Sequence, residues 1–436
     1  MSHPPAVAGP SFAEAFRFWL KLGFISFGGP TGQIAIMHRE LVDRRRWISE
    51  PRFLHALNYC MLLPGPEATQ LATYIGWLLH RTAGGLVAGI LFVLPSVFVL
   101  MALSYLYAAH GSLPWIAALF DGLKPAVLAI VATATVRIGR RALRHPVMWG
   151  LAAAAFVALF VLRLPFPLVI AGTAVVGLVG ARLRPAIFRV PEAGGDRSAV
   201  IADDTPLPPH ARPSTRRFVT VLAVSLLFWI GPLVAIGLWR GAADVLFREA
   251  VFFSKAAMVT FGGAYAVLPY VAQQAVETHR WLSASEMIDG LGLAETTPGP
   301  LIMVLQFVGF MAGWYHARDL GLAGAVLGGL VATYFTFMPC FLWIFLGAPY
   351  VEQTRGHRGL AGAMAAITAA VVGVILNLAV WFALHVLVTP AGVNLFALGV
   401  AAAAFVALQR LRWDIVPVVL AAAGAGLARR LLEGGL

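Results

Sequence analysis

Cysteine is nearly absent from this chain of 436 residues: Cys60 and Cys340 are its two, each inside an apolar run. Two thiols so placed exclude a disulfide framework and a thiolate metal site. Charge is scarce as well. Charged residues make up 12% of the chain, about half the 25% or so of a soluble protein. Apolar residues make up 60%, and the mean hydropathy is +0.81. No single core buries that much apolar side chain in water, so the solvent around most of it is lipid. Acids are the scarcer charge, 20 against 32 Lys and Arg, for a net +12. In a soluble chain that excess suggests nucleic acid. In a lipid-embedded one it marks cytoplasmic loops and an anionic partner instead. Walker loops, Rossmann glycine patterns and G-x-S-x-G are all missing, which removes the sequence handles for ATP coupling and hydrolysis. No cofactor is expected. The first eleven residues have no basic region and no cleavage site, so an N-terminus that stays on the chain is expected.

What is present is a series of apolar stretches near the length of a membrane crossing. They run near 12–36, 52–79, 83–109, 114–136, 146–163, 165–182, 218–239, 243–270, 286–314, 318–348, 358–388, 392–408 and 413–431. Residues 183–217, rich in proline and charge, read as a solvated linker. The division is then an N-terminal repeat over 12–182, the linker, a connecting transmembrane helix over 218–239 and a C-terminal repeat over 243–431. A shift of 234 carries Lys21 to Lys255, Phe27-Gly28-Gly29 to Phe261-Gly262-Gly263, Arg46-Trp47 to Arg280-Trp281, and Pro64-Gly65-Pro66 to Pro298-Gly299-Pro300. Four matches in one register point to duplication. Shifted registers pair Pro95 with Pro339 and Gly122-Leu123 with Gly359-Leu360; beyond that the halves have drifted.

Loop charge orients the halves. Residues 38–52 hold Arg39, Arg44, Arg45, Arg46 and Arg52, whereas the matching loop 271–285 holds Arg280 alone. Unequal basic content places them on opposite sides of the membrane, as in an inverted repeat. The basic run Arg137–Arg144 falls on the cytoplasmic side only if the first two segments of each half turn back within the membrane, at Phe-Gly-Gly and Pro-Gly-Pro. The expected fold is therefore an all-α polytopic membrane protein of two inverted-topology repeats, with broken or re-entrant helices at those motifs.

A helix restarting within the membrane exposes unpaired N–H groups and the positive end of its dipole. Proline suits such a start, and glycine lets a ligand approach the backbone. The candidate anion site is thus built from Gly28, Gly29, Pro64, Gly65, Pro66, Gly262, Gly263, Pro298, Gly299 and Pro300. Ser26, Thr31, Gln33 and Gln70 supply polar groups in the first half; Thr260, Tyr265, Thr297 and Gln306 do so in the second. Lys21 and Lys255, at equivalent positions, supply compensating charge; the alternative for each is snorkelling to the interface. Glu67 and Glu295 are not repeat equivalents. Each is either a protonatable carrier or, for Glu67, a cap on its own half-helix. The histidines show no metal-ligand spacing, and no metal is expected.

FWLKLGFISFGGPTGQIAIMHRELVDRRRWIS, LLPGPEATQLATYIGWLLH, FFSKAAMVTFGGAYAVLPYV and GLAETTPGPLIMVLQFVGF resemble the chromate ion transporter family in its long two-domain form. The resemblance covers residues 12–136 and 243–388. It implies a multi-pass exporter of chromate in the bacterial inner membrane, with sulfate as a competitor, and not an enzyme. The carrier is expected to work by alternating access, driven by membrane potential, a proton gradient or both. A carrier or channel for sulfate or another inorganic anion is the alternative. A homodimer fits carriers of this size.

Overall fold

The computed structural model describes residues 9–27, 29–188, 200–201, 209–354, 358–390 and 392–434. Gly28 and most of 189–208 lie outside them, and nothing is described of the Thr31 side chain. Among the described residues the chain is helical, apart from one antiparallel clip of two-residue strands, β1 (Val388–Thr389) and β2 (Gly392–Val393). Among the described residues, seven helices are long and apolar enough to cross a membrane.

The first half opens with α1 (Phe12–Ile25), α2 (Gly29–His38), a π-helical turn Arg39–Arg44, α3 (Glu50–Leu62) and α4 (Glu67–His110). It continues with α5 (Pro114–Ala142), α6 (Pro146–Phe160) and α7 (Phe166–Leu183). After α8 (Thr215–Arg240) come α9 (Val245–Met258), α10 (Ala264–Ala272), a π turn Gln273–Thr278, α11 (Ala284–Thr296) and α12 (Val304–His316). The last helices are α13 (Leu322–Gly347), α14 (Arg358–Leu387), α15 (Leu395–Gln409) and α16 (Ile415–Leu432).

Local chemistry sets these bounds. Ser11 accepts the N–H of Glu14 at the start of α1, and Ser283 with Glu286 forms a capping box on α11. The Phe-Gly-Gly and Pro-Gly-Pro motifs stop helices where glycines hold positive φ: +68° at Gly29, +98° at Gly263, +124° at Gly65 and +104° at Gly299. The resulting pieces are short. At about 1.5 Å per residue, α1 and α9, of 14 residues each, reach about 21 Å, less than the roughly 30 Å hydrocarbon core. α4 is two arms meeting at a non-helical His80–Arg81 pair, which agrees with separate stretches ending at 79 and starting at 83.

The repeat runs further than the Phe-Gly-Gly and Pro-Gly-Pro motifs. The shift of 234 superposes the two π turns and carries Glu50–Leu62 onto Ala284–Thr296 without a residue's offset. It also pairs Arg46 at φ +53° with Arg280 at φ +54°. Past α5 the register becomes 249: α6 maps onto α15, α7 onto α16, and Arg163 at φ +51° onto Arg412 at φ +57°. The pairing of Gly122 with Gly359 needs correction. Gly122 crosses Gly426 of α16, while Gly362 crosses Gly177 of α7, so the close-packing counterpart of Gly122 is Gly362.

The halves interlock. α5 lies against α15 and α16 of the other half, and α14 lies against α6 and α7. Parts of the stretch read as solvated are buried: Phe188, Ile201 and Ala211. Val200 and Ile201 hydrogen-bond along Arg46–Ser49. The His210 ring contacts the Trp77 carbonyl at 3.1 Å, and Arg217 stacks over the Trp77 ring. α8 is largely exposed, with Ser225 its one buried residue, and packs along one side against α13 and α9.

Candidate functional site

The four motifs meet, and they meet by exchange. The Gly65 N–H donates to the Thr260 carbonyl at 2.8 Å, and the Gly299 N–H donates to the Ser26 carbonyl at 2.8 Å. Each Pro-Gly-Pro loop is thus bonded to the chain just before the other half's Phe-Gly-Gly break. The hydroxyls of Ser26 and Thr260 donate back one turn, to Leu22 and Ala256, at 2.6 Å each. A Cβ on Gly65 would stand 2.7 Å from Cys340 Sγ, and one on Gly299 2.6 Å from Ser96 Cβ. Cys340 and Ser96 each follow an intrahelical proline, Pro339 and Pro95. The crossing leaves no room for a side chain at either glycine.

Around this crossing the two halves differ. Glu67, 8% exposed, opens α4, and a Cβ on Gly263 would lie 2.7 Å from its Oε1. Its carboxylate therefore rests between the N-terminus of its own helix and that of α10, where unpaired N–H groups and two helix dipoles favour an anion. The equivalent position in the second half is Leu301. At the start of α2 the neighbour is instead the Tyr265 hydroxyl, 3.6 Å from where a Gly29 Cβ would be. That hydroxyl donates to Glu295 Oε1 at 2.5 Å, and Glu295 Oε2 is buried with no hydrogen-bond partner among the described residues.

The remaining candidates divide. The Gln33 amide donates to the Gly299 carbonyl at 2.5 Å and the Gln70 amide to the Pro64 carbonyl at 2.9 Å, which fixes both loops. Pro66 caps α4, Pro300 precedes the turn Leu301–Met303, and Thr297, between α11 and Pro298, bonds back to Ala294. Gly262 holds φ +75° beside Val371. Gln306 works elsewhere, tying α12 to the Val97 carbonyl of α4. Lys21 and Lys255 lie on exposed sides of α1 and α9.

Two residues escaped the sequence reading. Arg137, assigned to a loop, belongs to α5, and with Pro30, Thr133 and Tyr265 it lines a cavity of about 20 Å³ beside the α2 restart, room for about one water. The signal was available: an arginine directly after VATATV, at the head of the basic run. Glu249 on α9 is fully buried, with neither carboxyl oxygen bonded among the described residues. It faces Gly328 of α13, and the first half has Ala15 in its place.

The architecture is that of a polytopic helical membrane protein whose buried centre is made of paired helix restarts. The chromate transporter family model matches residues 13–178 and 247–427, one match to each half, and the chain belongs to that family. It is 30% identical to a chromate transport protein of Pseudomonas aeruginosa over 95% of this chain and 92% of that one. It is 29% identical to a chromate transport protein of Cupriavidus metallidurans, over 83% of this chain and 80% of the relative. The uncharacterized transporter YwrB of Bacillus subtilis aligns over 29% of this chain and 64% of its own, at 26% identity. No solved structure matches the chain. Membership makes this chain a transporter and not an enzyme.

Proposed function

We propose that this chain exports chromate across the bacterial inner membrane by alternating access, with the dianion bound at the paired restarts. The observation that carries the reading is the exchanged pair of hydrogen bonds, Gly65 to Thr260 and Gly299 to Ser26, because it gathers four restarts at one place. Charge asymmetry of the matched loops and the short lengths of α1 to α3 and α9 to α11 support inverted halves with segments that turn back within the membrane. Rocking of such halves exposes the crossing to either side in turn.

The two restarts take different parts in this cycle. The α10 terminus holds an anion already, the carboxylate of Glu67, and the α2 terminus is the position left for substrate. Gly29 allows the oxyanion to reach the backbone N–H groups there. Tyr265 offers a hydroxyl, and Arg137 lines the approach as the nearby cation. Lys21 and Lys255, on exposed faces, draw anions toward the two mouths. Glu295 takes the Tyr265 proton contact back when the site empties.

Inside-negative potential assists export by about 2.3 kcal/mol per charge per 100 mV, enough to deplete an uncompensated dianion without ATP. The test is uptake of radiolabelled chromate into inside-out vesicles with an imposed potential, with and without excess sulfate. Potential-driven accumulation that sulfate inhibits is the expected result. A folded protein that accumulates no chromate would overturn the reading and direct the search to other anions.

A further inference from the structure

We propose that the face of α1 carrying Arg17 and Lys21 is a binding site for the headgroup of an anionic phospholipid. Ser11, Glu14, Arg17 and Lys21 follow one another at helical spacing along one side of α1. With Ala13, Phe18 and Arg45 they line a cleft of about 300 Å³, separate from the cavity at the restarts. Arg45 arrives from the end of the π turn and lies over the rings of Phe18 and Trp47, at 4.9 and 5.1 Å. Its NH1 reaches Glu14 Oε1 at 3.5 Å, which leaves two cations in excess. Neither Arg17 nor Lys21 has an ion-pair partner among the described residues. A cleft of that size and charge calls for a phosphate group.

The apolar surroundings select a lipid as its source. Phe24, 54% exposed, follows Lys21 by one turn on the same side of α1, toward the Phe-Gly-Gly break. A bare phenylalanine inward of a basic cleft matches an acyl chain below a phosphate, the arrangement of an interfacial helix. The net double positive charge selects an anionic headgroup, because a zwitterionic one would bring its own ammonium against Arg45. The second half has no copy of this site. Lys255 repeats Lys21, but Val251 stands where Arg17 is and Arg248 where Glu14 is. Lys21 is shared with the proposed approach of the transported anion, so the test reads lipid retention and not transport.

The test is lipid retention by the purified chain in detergent, read by native mass spectrometry during titration with phosphatidylglycerol or phosphatidylcholine. The wild type is expected to retain phosphatidylglycerol over phosphatidylcholine. Arg17→Gln/Lys21→Gln is expected to weaken that retention about thirtyfold, from roughly a fivefold loss per cation compounded over two. Lys21→Arg, which keeps the charge, should retain the lipid, and Lys255→Gln should match wild type, which controls for folding. Equal retention of both lipids, or undiminished retention by the double variant, would overturn the assignment. So would displacement of phosphatidylglycerol by millimolar inorganic phosphate or chromate, which would make the cleft a site for free oxyanions.

Discussion

The restarts of α2 and α10 are related by the shift of 234 and share their glycines, their positive φ values and their reciprocal loop contacts, yet they face opposite chemistry. The start of α10 has a carboxylate against it, from Glu67. The start of α2 has a hydroxyl, from Tyr265, beside a cavity edged by an arginine. Duplication preserved the backbone of the two restarts, and divergence set Glu67 against one and Tyr265 against the other. A symmetric pair would bind two anions or none in particular. On the function proposed, an asymmetric pair offers one place for substrate and keeps the other dipole satisfied when the site is empty.

The comparison breaks most severely at the glycines. Gly65→Val and Gly299→Val place side chains where Cys340 and Ser96 stand, at φ values that side chains rarely adopt. Clash and left-handed backbone together are expected to cost more than about 3 kcal/mol. Both should abolish transport and reduce the folded yield, checked by size-exclusion chromatography and vesicle uptake. Gly263→Ala should be nearly as severe, since its Cβ meets Glu67, whereas Gly29→Ala, with open contact distances of 3.6 Å and more, should fold and lose part of its activity. Equal effects of these last two would contradict the asymmetry.

Arg137→Ala is expected next, lowering chromate uptake about tenfold or more with membrane insertion intact. Arg137→Lys should recover only part, because a point charge does not reproduce a planar fork. Glu67→Gln keeps shape and removes charge, so it should free the α10 terminus for a second anion. Its expected signature is a lower KM for chromate with a lower turnover, a split that a purely structural role would not produce. Tyr265→Phe leaves the buried Glu295 without its donor, at a cost of about 1–3 kcal/mol, read as a lowered Tm with several-fold slower uptake.

The smallest effect should come from the periphery, where Arg240 bonds Asp319 through both nitrogens, at 2.7 and 2.9 Å. Hydrogen bonds from Arg240 hold the Asp319 carboxyl below the usual carboxylate range. Its contribution is complete above that range and disappears as pH falls through the lowered value. Asp319→Asn should leave transport unchanged and remove only a slight acid sensitivity of Tm.

Which parts of this were legible in the sequence follows from where chemistry constrains the chain. Phe-Gly-Gly and Pro-Gly-Pro were legible because positive φ at Gly29, Gly65, Gly263 and Gly299 admits few other residues. The same constraint does not act on α6, α7, α15 and α16. There any small apolar residue packs, so the identical AAAAFVAL at 152–159 and 401–408, which marks register 249, reads as generic scaffold rather than as a repeat. The interlocking of α5 with α16 and of α14 with α7 was not legible either. Close crossings such as Gly122 on Gly426 record that something small must sit there, not which helix lies opposite. Arg137 was misplaced because a basic run looks like a loop even where its first member still belongs to a helix. Glu67 was read as a cap or a carrier; its neighbour across the crossing, Gly263, depends on the exchange of halves and could not be seen along one chain.

The central claim, one oxyanion at the α2 restart with Arg137 beside it, is tested most directly by equilibrium chromate binding to the purified chain. Isothermal titration of wild type, Arg137→Ala and Lys255→Gln at one ionic strength suffices. One site per chain, weakened about tenfold or more by Arg137→Ala and little changed by Lys255→Gln, is the result predicted. Binding that survives Arg137→Ala unchanged would contradict it and place the substrate elsewhere in the molecule.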